Sequence, residues 1–398
     1  MTITLKNNYE PLTEQTAIEL AKRLNLFQED ITLTCKEIGD GNLNLVFHIQ
    51  DSHNKGIIIK QALPYAKVVG ESWPLTLLRN KIEAEALRVH GQFVPSLVPE
   101  VYYTDEELAV TVIEDLSHLQ ISRKGLIEGK EYPLLSEHIG IYLAHTLFFT
   151  SDFGMNQQEK KRLAKEFNNP ELCKITEDLV FTDPFFNHET NNFEEGLLTS
   201  VTELWSNEIL KLEVSKLKHK FLTAGEALVH GDLHTGSIFA SQAETKVIDP
   251  EFAFYGPFGF DIGQFLANLL LNAISLDKED EREKLLNHVE VTWNVFSSTF
   301  TSLWAKESIE IYTKTEGYLQ FVLAQIFEDT IGFAGCELIR RTIGLAHVED
   351  LDGITSDEIR LQAKRKAIRL GQELITDRKQ FTSIDQFVNY VRGVLQHD

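Results

Sequence analysis

The period of the apolar residues changes near residue 115, and this change limits the folds that the chain can adopt. Before that point, short runs alternate apolar and polar residues, as strands with one buried face do. The predicted strands are residues 31–38, 45–49, 56–61, 98–103 and 108–113. After that point, the helical period dominates most of the chain. The pattern predicts an α+β fold in which a small antiparallel sheet of five strands precedes a larger, mainly helical part.

Helices complete both parts. Thr13 is placed to cap a first helix, and a second helix over residues 75–90 is inserted among the strands. In the helical part, the predicted helices cover residues 138–149, 192–212, 261–273, 281–300, 317–345 and 357–374. A chain of 398 residues can build two cores. We therefore expect two domains, residues 1–115 and residues 116–398.

The charge and the cysteines of the chain exclude some partners and compartments. The formal charge is -22, which disfavours binding to nucleic acid or to an anionic membrane. Cys35, Cys173 and Cys336 form no C-x-x-C pair, and the N-terminus has no signal-peptide core. The longest apolar stretch, residues 265–274, is too short to span a bilayer. We therefore expect a cytoplasmic protein.

Two acidic motifs follow each other in the strand-like interruption of the helical part. Residues 230–234 read His-Gly-Asp-Leu-His, and residues 247–251 read Val-Ile-Asp-Pro-Glu. Phosphoryl transfer from ATP needs one Asp to orient a hydroxyl and accept its proton, and further carboxylates to hold magnesium. Protein kinases carry an H-R-D loop and a D-F-G loop in this order. The pair predicts a two-lobed, protein kinase-like fold with its active site between the lobes. Asp232 is the predicted base, and Asp249 and Glu251 are predicted metal ligands.

A glycine-rich turn and a lysine fit the same chemistry. Residues 39–44 join two predicted strands, and such a turn can lie over phosphates, although taken alone it is an ordinary hairpin. Lys60 follows three isoleucines, at the position where kinases place the lysine that pairs phosphates and a helix glutamate. Glu83 and Glu85 lie on different helix faces, so only one can be that partner. Glu83 is favoured, and a solvated position stays open for each.

The end of the last predicted strand is a candidate adenine site. Kinases connect their lobes at this point and bind the adenine edge through backbone groups. Here the residues are Glu114, Asp115 and Leu116. Because backbone contacts need no particular side chain, this prediction rests on position alone, and a plain linker is the other interpretation.

Residues around the first acidic motif have structural interpretations. His230 is expected to bond backbone groups and hold Asp232 in place, and no role is assigned to His234. Asp261 is either the N-cap of a helix or a brace that reaches back to the catalytic loop.

Arg340 and Arg341 lie late in a predicted helix whose other residues are mostly apolar. One interpretation is a charge pair at the end of a helix, in which Glu337 and Arg341 interact at i,i+4. The other is functional, since an acidic kinase needs cations near its phosphates and adjacent arginines supply planar forks of donors.

Several of these stretches closely resemble the 5-methylthioribose kinases of bacterial methionine salvage, a family within the aminoglycoside and choline kinase superfamily. The stretches that carry the resemblance are residues 37–44, 70–75, 229–238, 247–253 and 336–344. The Asp-Pro-Glu and twin-arginine motifs set this family apart from most aminoglycoside kinases.

The resemblance implies magnesium-dependent transfer of the ATP γ-phosphate to the anomeric hydroxyl of S-methyl-5-thioribose. It implies that Asp232 is the base, and that Arg340 and Arg341 serve the sugar and the transferred phosphoryl group. The residues that it assigns to ATP and its metal are Asn44, Lys60, Glu114, Asp115, Leu116, Asp249, Pro250 and Glu251. It also implies a loop around Trp73 that closes over the site, and a homodimer.

One position departs from the wider kinase pattern. The catalytic loop of kinases usually supplies an Asn to a second metal, five residues after the Asp, and this chain has Ser237 there. Glu251 is expected to take over, and the number of metal ions stays open.

Two rival functions are weighed against this one. An aminoglycoside or choline kinase should surround its cationic acceptor with carboxylates, and arginines would repel that acceptor. A catalytically dead binding protein should lack Asp232, Lys60 or Asp249, and all three are present.

Overall fold

The computed structural model describes residues 9–39, 43–66 and 70–396. The tip of the predicted glycine-rich turn, residues 40–42, lies outside the described residues, and so does the side chain of Trp73. The chain divides into two compact units, Met1–Leu119 with Lys246–Phe252, and Gln120–Thr245 with Ala253–Asp398. The predicted domains, residues 1–115 and 116–398, stay a prediction. The units add one observation, that Lys246–Phe252 is grouped with the N-terminal residues.

The first unit is built on an antiparallel sheet of five strands. Its elements are helix α1 (Glu14–Arg23), strands β1 (Leu33–Glu37), β2 (Asn44–Asp51), β3 (Gly56–Ala62), β4 (Tyr65–Ala66) and β5 (Gly70–Pro74), helix α2 (Leu78–Phe93), and strands β6 (Val101–Asp105) and β7 (Val110–Glu114). The strand order is β1-β2-β3-β7-β6, and every neighbouring pair is antiparallel. The predicted five-stranded sheet is therefore confirmed.

Helix α1 covers one face of this sheet. Thr13 caps it as predicted, because the Thr13 side chain accepts a hydrogen bond from the Thr16 N–H. The buried cluster between helix and sheet consists of Ala17, Leu20, Ala21, Phe47, Ile49, Ile57, Ile59, Val110 and Val112. The strand residues in it alternate along β2, β3 and β7, which is the pattern that made these strands predictable.

The segment around Trp73, for which the resemblance implies a loop, contains β5, and this strand pairs with β4. Strands of two and five residues beside Pro64 and Pro74 are too short to show an alternating pattern against the turn signals.

The second unit is mainly helical. Its helices are α3 (Ser122–Ile127), α4 (Leu135–Phe149), α5 (Gln157–Glu166), α6 (Pro170–Leu179), α7 (Leu198–Ser206), α8 (Glu208–Thr223), α9 (Gly259–Ser275), α10 (Glu279–Glu307), α11 (Tyr318–Ile343), α12 (Glu349–Asp352), α13 (Asp357–Asp377) and α14 (Ile384–Gln396). Its strands are β8 (Gln120–Ile121), β9 (Ala227–Val229), β10 (Ile238–Ala240) and β12 (Phe254–Gly256), and β11 (Thr245–Val247) begins at its edge. β9 pairs with β12, and β8 pairs with β10.

Helix α9 is the centre of this unit, and nearly all of its residues are buried on every side. It packs against α10 and α11, and α11 packs in turn against α13. Two glycines allow the close approach of α9 and α11. A Cβ atom on Gly259 would lie 2.7 Å from the Thr330 nitrogen, and one on Gly263 would lie 2.6 Å from the Thr330 carbonyl oxygen.

The predicted helix over residues 192–212 is wrong in one respect. The chain forms α7 and α8 there, with a break at Asn207, whose side chain caps α8 by accepting from the Leu210 N–H. An Asn inside a helical pattern can start a new helix in this way. In the described part of the chain, no helix is long and apolar enough to cross a membrane.

Candidate active site

Lys60 is the centre of a charged cluster in the first unit. It lies on β3 and is buried, and its Nζ donates to Glu83 Oε1 at 2.5 Å and to Asp249 Oδ1. The structure therefore selects Glu83, on α2, as the glutamate partner of Lys60. Glu85 instead pairs with Arg88, at 2.5 Å, on the more exposed face of the same helix.

The electrostatics of this cluster keep Lys60 charged. Burial lowers the pKa of Lys60, but Asp249 and Glu83 raise it by more, so that its pKa lies above the ordinary value. Burial raises the pKa of Glu83, and Lys60 offsets part of that rise. A cation held between two carboxylates has a fixed position, which suits a group that must meet phosphate oxygens.

Asp249 has the exposure that a metal ligand needs. Its φ is 62°, a left-handed conformation that Asp tolerates better than most residues, and it precedes a short 3-10 turn that starts at Pro250. The Asp249 side chain is 44% exposed although one of its oxygens contacts Lys60. The carboxylate therefore has an accessible side.

Glu251 is held in place by a buried contact that the sequence motif does not reveal. It is buried, and its Oε2 accepts a hydrogen bond from Arg79 Nη1 at 2.9 Å. The same Arg79 atom donates to Asn44 Oδ1 at 2.5 Å. The predicted site residues Asn44 and Glu251 thus share one buried arginine, which the sequence analysis missed. Arg79 lies one helical turn before Glu83, on the same face of α2. This i,i+4 spacing is the sequence signal that could have identified Arg79.

The predicted adenine linker uses its side chains within the first unit. Glu114 accepts from Lys246 Nζ at 3.0 Å, and Asp115 accepts from His48 Nε2 at 2.9 Å. Burial raises the pKa of Asp115, but the Ser117 N–H and His48 lower it by more, so that its pKa lies below the ordinary value. The carboxylates of Glu114 and Asp115 are thus engaged within the first unit, and the adenine role of this linker stays a prediction. In the β3–β7 ladder, Glu114 pairs with Ile57. Ile57 lies three residues before Lys60 on β3, so the linker and Lys60 are about 10 Å apart along the strand.

In the second unit, α9 anchors the predicted catalytic loop, residues 230–234. Asp261 accepts from the His230 N–H at 2.6 Å and from the Gly231 N–H at 3.0 Å, and it makes no N-cap hydrogen bond. Of the two predicted roles for Asp261, the brace is therefore correct. Gly231 has a φ of 85°, which explains a glycine at this position. The Asp232 N–H donates to His230 Nδ1 at 3.3 Å, as expected for a histidine that holds the loop.

Ser237 serves the loop itself. Its hydroxyl donates to the Asp232 and His234 carbonyl oxygens at 3.2 and 2.9 Å, and accepts from the His234 N–H at 3.0 Å. The serine found where kinases usually have a metal-binding Asn is thus engaged inside the loop.

Arg340 and Arg341 both reach Asp232. Their Nη2 atoms lie 3.0 and 3.4 Å from Asp232 Oδ1, and both arginines are buried on α11. Glu337, which is fully buried, accepts from Arg340 Nε at 2.6 Å and from Arg341 Nε at 2.8 Å. The expected i,i+4 pair of Glu337 and Arg341 is present near the end of α11, but both residues are buried instead of facing solvent.

These charges control the ionisation of the predicted base. Burial raises the pKa of Asp232, but His234, Arg340 and Arg341 lower it well below its usual range. Burial lowers the pKa of His234 to about 4, so this ring is neutral near pH 7. Its Nδ1 accepts from the Gly236 N–H at 3.0 Å, which leaves the proton on Nε2, 3.4 Å from Asp232 Oδ2. His234, which has no role in the sequence analysis, thus faces the base as a neutral donor.

Two further buried polar residues complete this network. Asn268 on α9 donates to Glu337 Oε1 at 3.1 Å and accepts from Arg123 Nη2 at 2.5 Å. Asn272, one turn later, donates to Asp350 at 2.8 Å. The sequence signal was available, since these asparagines interrupt the most apolar stretch of the chain.

Comparison with known proteins identifies the family. The model of the phosphotransferase enzyme family matches residues 34–282. A methylthioribose kinase of Geobacillus sp. (strain WCH70) is 68% identical over 376 residues, 94% of each chain. A methylthioribose kinase of Bacillus cereus (strain 03BB102) is 62% identical over 92% of this chain and 93% of its own.

Among solved structures, a choline kinase of Cryptosporidium parvum Iowa II aligns with a TM-score of 0.49 and 12% identity, and covers 97% of this chain and 100% of its own. Because the family model covers more than half of the chain, and the named relatives match over nearly their full length, the family assignment follows directly. The chain is a kinase that belongs to the phosphotransferase enzyme family, together with the methylthioribose kinases.

Proposed function

We propose that this protein transfers the γ-phosphate of ATP to the anomeric hydroxyl of S-methyl-5-thioribose and releases ADP, as a step of methionine salvage. The observation that carries the proposal is the contact of the partly exposed Asp232 with two buried arginines, Arg340 and Arg341. Two guanidinium groups beside the base suit an uncharged polyol and an incoming phosphoryl group. The curated relatives that carry the name methylthioribose kinase support the choice of sugar.

Asp232 would act on the acceptor hydroxyl. A carboxylate whose pKa lies well below its usual range is ionised near pH 7, so it can accept a hydrogen bond from the hydroxyl. As the sugar oxygen forms its bond to phosphorus, the hydroxyl proton passes to Asp232. The bond from phosphorus to the bridging oxygen breaks, and its electron pair leaves with ADP. Because the depressed pKa makes Asp232 a weak base, orientation of the hydroxyl is its larger contribution.

Groups of the first unit would bind the nucleotide. Lys60 would meet the phosphates and Asn44 would contact them from the start of β2. Backbone groups of Glu114, Asp115 and Leu116 would meet adenine. The separation of about 10 Å along the β3–β7 ladder gives adenine and phosphates distinct positions.

The residues present fit a magnesium ion that is bound together with phosphates. Mg²⁺ usually takes one or two protein carboxylates and completes its shell with water and substrate phosphates. Asp249, with its accessible carboxylate, and Glu251 would hold the ion, and Pro250 would fix the turn between them. When bound, magnesium would neutralise charge on the transferred phosphoryl group. The engaged hydroxyl of Ser237 favours Glu251 over the catalytic loop as the source of any second ligand.

A coupled assay of ADP release tests the function. Methylthioribose, ribose, choline and kanamycin should be offered separately, each with MgATP, and Asp232→Asn serves as the inactive control. We expect turnover with methylthioribose far above that with the two cationic acceptors. Preference for choline or kanamycin would favour the alternative, a cationic-acceptor kinase, and no turnover with any acceptor would overturn the proposal.

We also propose that the enzyme is a cytoplasmic homodimer. The dimer follows from the resemblance to the family, and three free cysteines suit a reducing compartment. Light scattering on the purified protein would give the mass of the assembly, to be compared with the 45.4 kDa of one chain.

A further inference from the structure

We propose that Arg79 is a positioning residue that orients the amide of Asn44, so that Asn44 Nδ2 donates a hydrogen bond to a phosphate oxygen of ATP. The inference rests on the proposed function, which supplies ATP as the ligand. It adds two things to that function. It assigns a role to Arg79, and it identifies the amide N–H of Asn44 as the group that contacts ATP.

Arg79 has the burial and the contacts of an organising group. It lies in the first turn of α2 and its side chain is 0% exposed. Nη1 donates to Asn44 Oδ1 and Glu251 Oε2, and Nη2 donates to the carbonyl oxygens of Leu43 and Leu63. One planar guanidinium thus contacts three segments. These are the end of the glycine-rich turn at Leu43 and Asn44, the residue after β3, Leu63, and Glu251 of the Asp-Pro-Glu segment. A flexible ammonium group could not hold these acceptors in one plane.

The chemistry of the guanidinium decides which way Asn44 points. Arginine has donors only, so the atom of Asn44 that faces Arg79 must be the amide oxygen. Nδ2 is therefore turned away from Arg79. Among the described residues, none accepts a hydrogen bond from Nδ2. The side chain stands at the first residue of β2, directly after the turn that is expected to lie over the phosphates.

A purely structural role would favour a different residue at position 44. A buried guanidinium would be paired better by a carboxylate than by a neutral amide. Asparagine gives Arg79 a weaker acceptor but retains two N–H donors, and a carboxylate would repel phosphate. The amide is therefore suited to binding Arg79 on one side and an anion on the other.

The same helix aligns the other ATP groups of the first unit. Glu83, four residues after Arg79, holds Lys60, and Lys60 contacts Asp249. Arg79 holds Glu251, two residues beyond Asp249. One face of α2 therefore fixes Asn44 and Lys60 together with both predicted metal ligands.

The decisive variant is Asn44→Asp, which keeps an acceptor for Arg79 and replaces the donor with a negative charge. We expect KM for ATP to rise at least about tenfold, since a hydrogen bond to a charged group is lost. Urea unfolding should still show a single transition, which would establish that the variant folds, although a new carboxylate beside Glu251 can lower its stability. Adenosine, used as a competitive inhibitor, should keep its inhibition constant, because it carries no phosphate.

Arg79→Lys and a matched control complete the test. Arg79→Lys keeps the charge but loses the planar fork, so KM for ATP should rise while inhibition by adenosine is again unchanged. Asn80→Asp is the control, because Asn80 is a buried amide on the same helix that accepts from Thr111. We expect it to change stability and to leave KM for ATP near the wild-type value.

The outcomes separate this inference from the proposed function. A wild-type KM for ATP in Asn44→Asp would overturn the inference, and so would an equal loss of affinity for adenosine and for ATP. If the wild-type protein failed to bind ATP at all in calorimetry, the proposed function would be wrong instead.

Discussion

At the scale of single residues, Asp232 is unusual because two cations and one neutral histidine surround it. Asp232→Asn should largely abolish turnover, since it removes the group that orients the hydroxyl and accepts its proton, and such a loss typically lowers the rate roughly 10²- to 10⁴-fold. Affinity for ATP should stay near normal, because the residues proposed to bind ATP belong to the first unit and Asp232 belongs to the second. Single-turnover rates and calorimetric titration with ATP would measure the two quantities. More than about a tenth of the wild-type rate would contradict the role of Asp232.

Arg340 and Arg341 should each be needed for efficient phosphorylation of the sugar. We expect Arg340→Ala and Arg341→Ala to lower kcat/KM for methylthioribose about 10- to 150-fold, as removal of a charged donor usually does. Lysine should restore only part of the activity, because it keeps the charge but loses the fork. Steady-state kinetics with both substrates varied would test this. Normal kinetics in both alanine variants would remove the arginines from the acceptor site.

Glu337 should give the protein part of its stability above pH 4.5. Burial raises the pKa of Glu337, but Arg340 and Arg341 bring it down to about 2, against an ordinary value of 4.5. A carboxyl group whose pKa is lower in the folded than in the unfolded protein stabilises the fold while it is ionised in both states. For Glu337 this contribution is complete above pH 4.5 and is lost as the pH falls from 4.5 to 2. The shift corresponds to about 3 kcal/mol in total, of which roughly 1 kcal/mol is lost by pH 4.

Urea unfolding of the wild type and of Glu337→Gln at pH 6 and pH 4 would measure this effect. The wild type should lose about 1 kcal/mol more than the variant between these pH values. Equal losses would mean that folding does not lower the pKa of Glu337.

At the scale of elements, the approach of α9 to α11 depends on the glycines between them. Gly263→Ala would place a Cβ 2.6 Å from the Thr330 carbonyl oxygen, and we expect it to destabilise the protein by about 1–3 kcal/mol. Gly393→Ala is the matched control, because α14 has open space at that position and alanine favours helix by about 0.5–1 kcal/mol. Denaturant midpoints should therefore move in opposite directions, and a shared direction would contradict the packing argument.

The elements also show where prediction from sequence succeeds. The strands of the first unit alternate because one face packs on α1, and that alternation is readable in the sequence. The roles of the motif residues Asp232 and Asp249 stay predictions, made because the chemistry of a kinase requires carboxylates of this type and order. Arg79 was not recognised, because its contact with Glu251 joins residues more than a hundred positions apart. Glu337 was recognised only as the partner of Arg341, and its burial and its contact with Arg340 were not predicted. Local pattern carries no information about such partners.

At the scale of the whole molecule, charge should control solubility. The formal charge is -22 at pH 7, and the sequence pI is about 5.0. As the pH falls toward 5, repulsion between copies is lost, so we expect association and a minimum of solubility there. Static light scattering between pH 8 and pH 5 would measure this association. Scattering that stays flat at low salt would contradict this expectation.

The grouping of Lys246–Phe252 with the first unit has a consequence for how this enzyme can be divided or recombined. A fragment that ends at residue 119 would contain Arg79 and Lys60 but lack Glu251 and Asp249, so two cations would lose carboxylate partners. Such a fragment should therefore be a poor independent ATP-binding domain. Chimaeras between phosphotransferases that exchange residues 1–119 should exchange the Asp-Pro-Glu segment with them, because the two pieces form one compact unit.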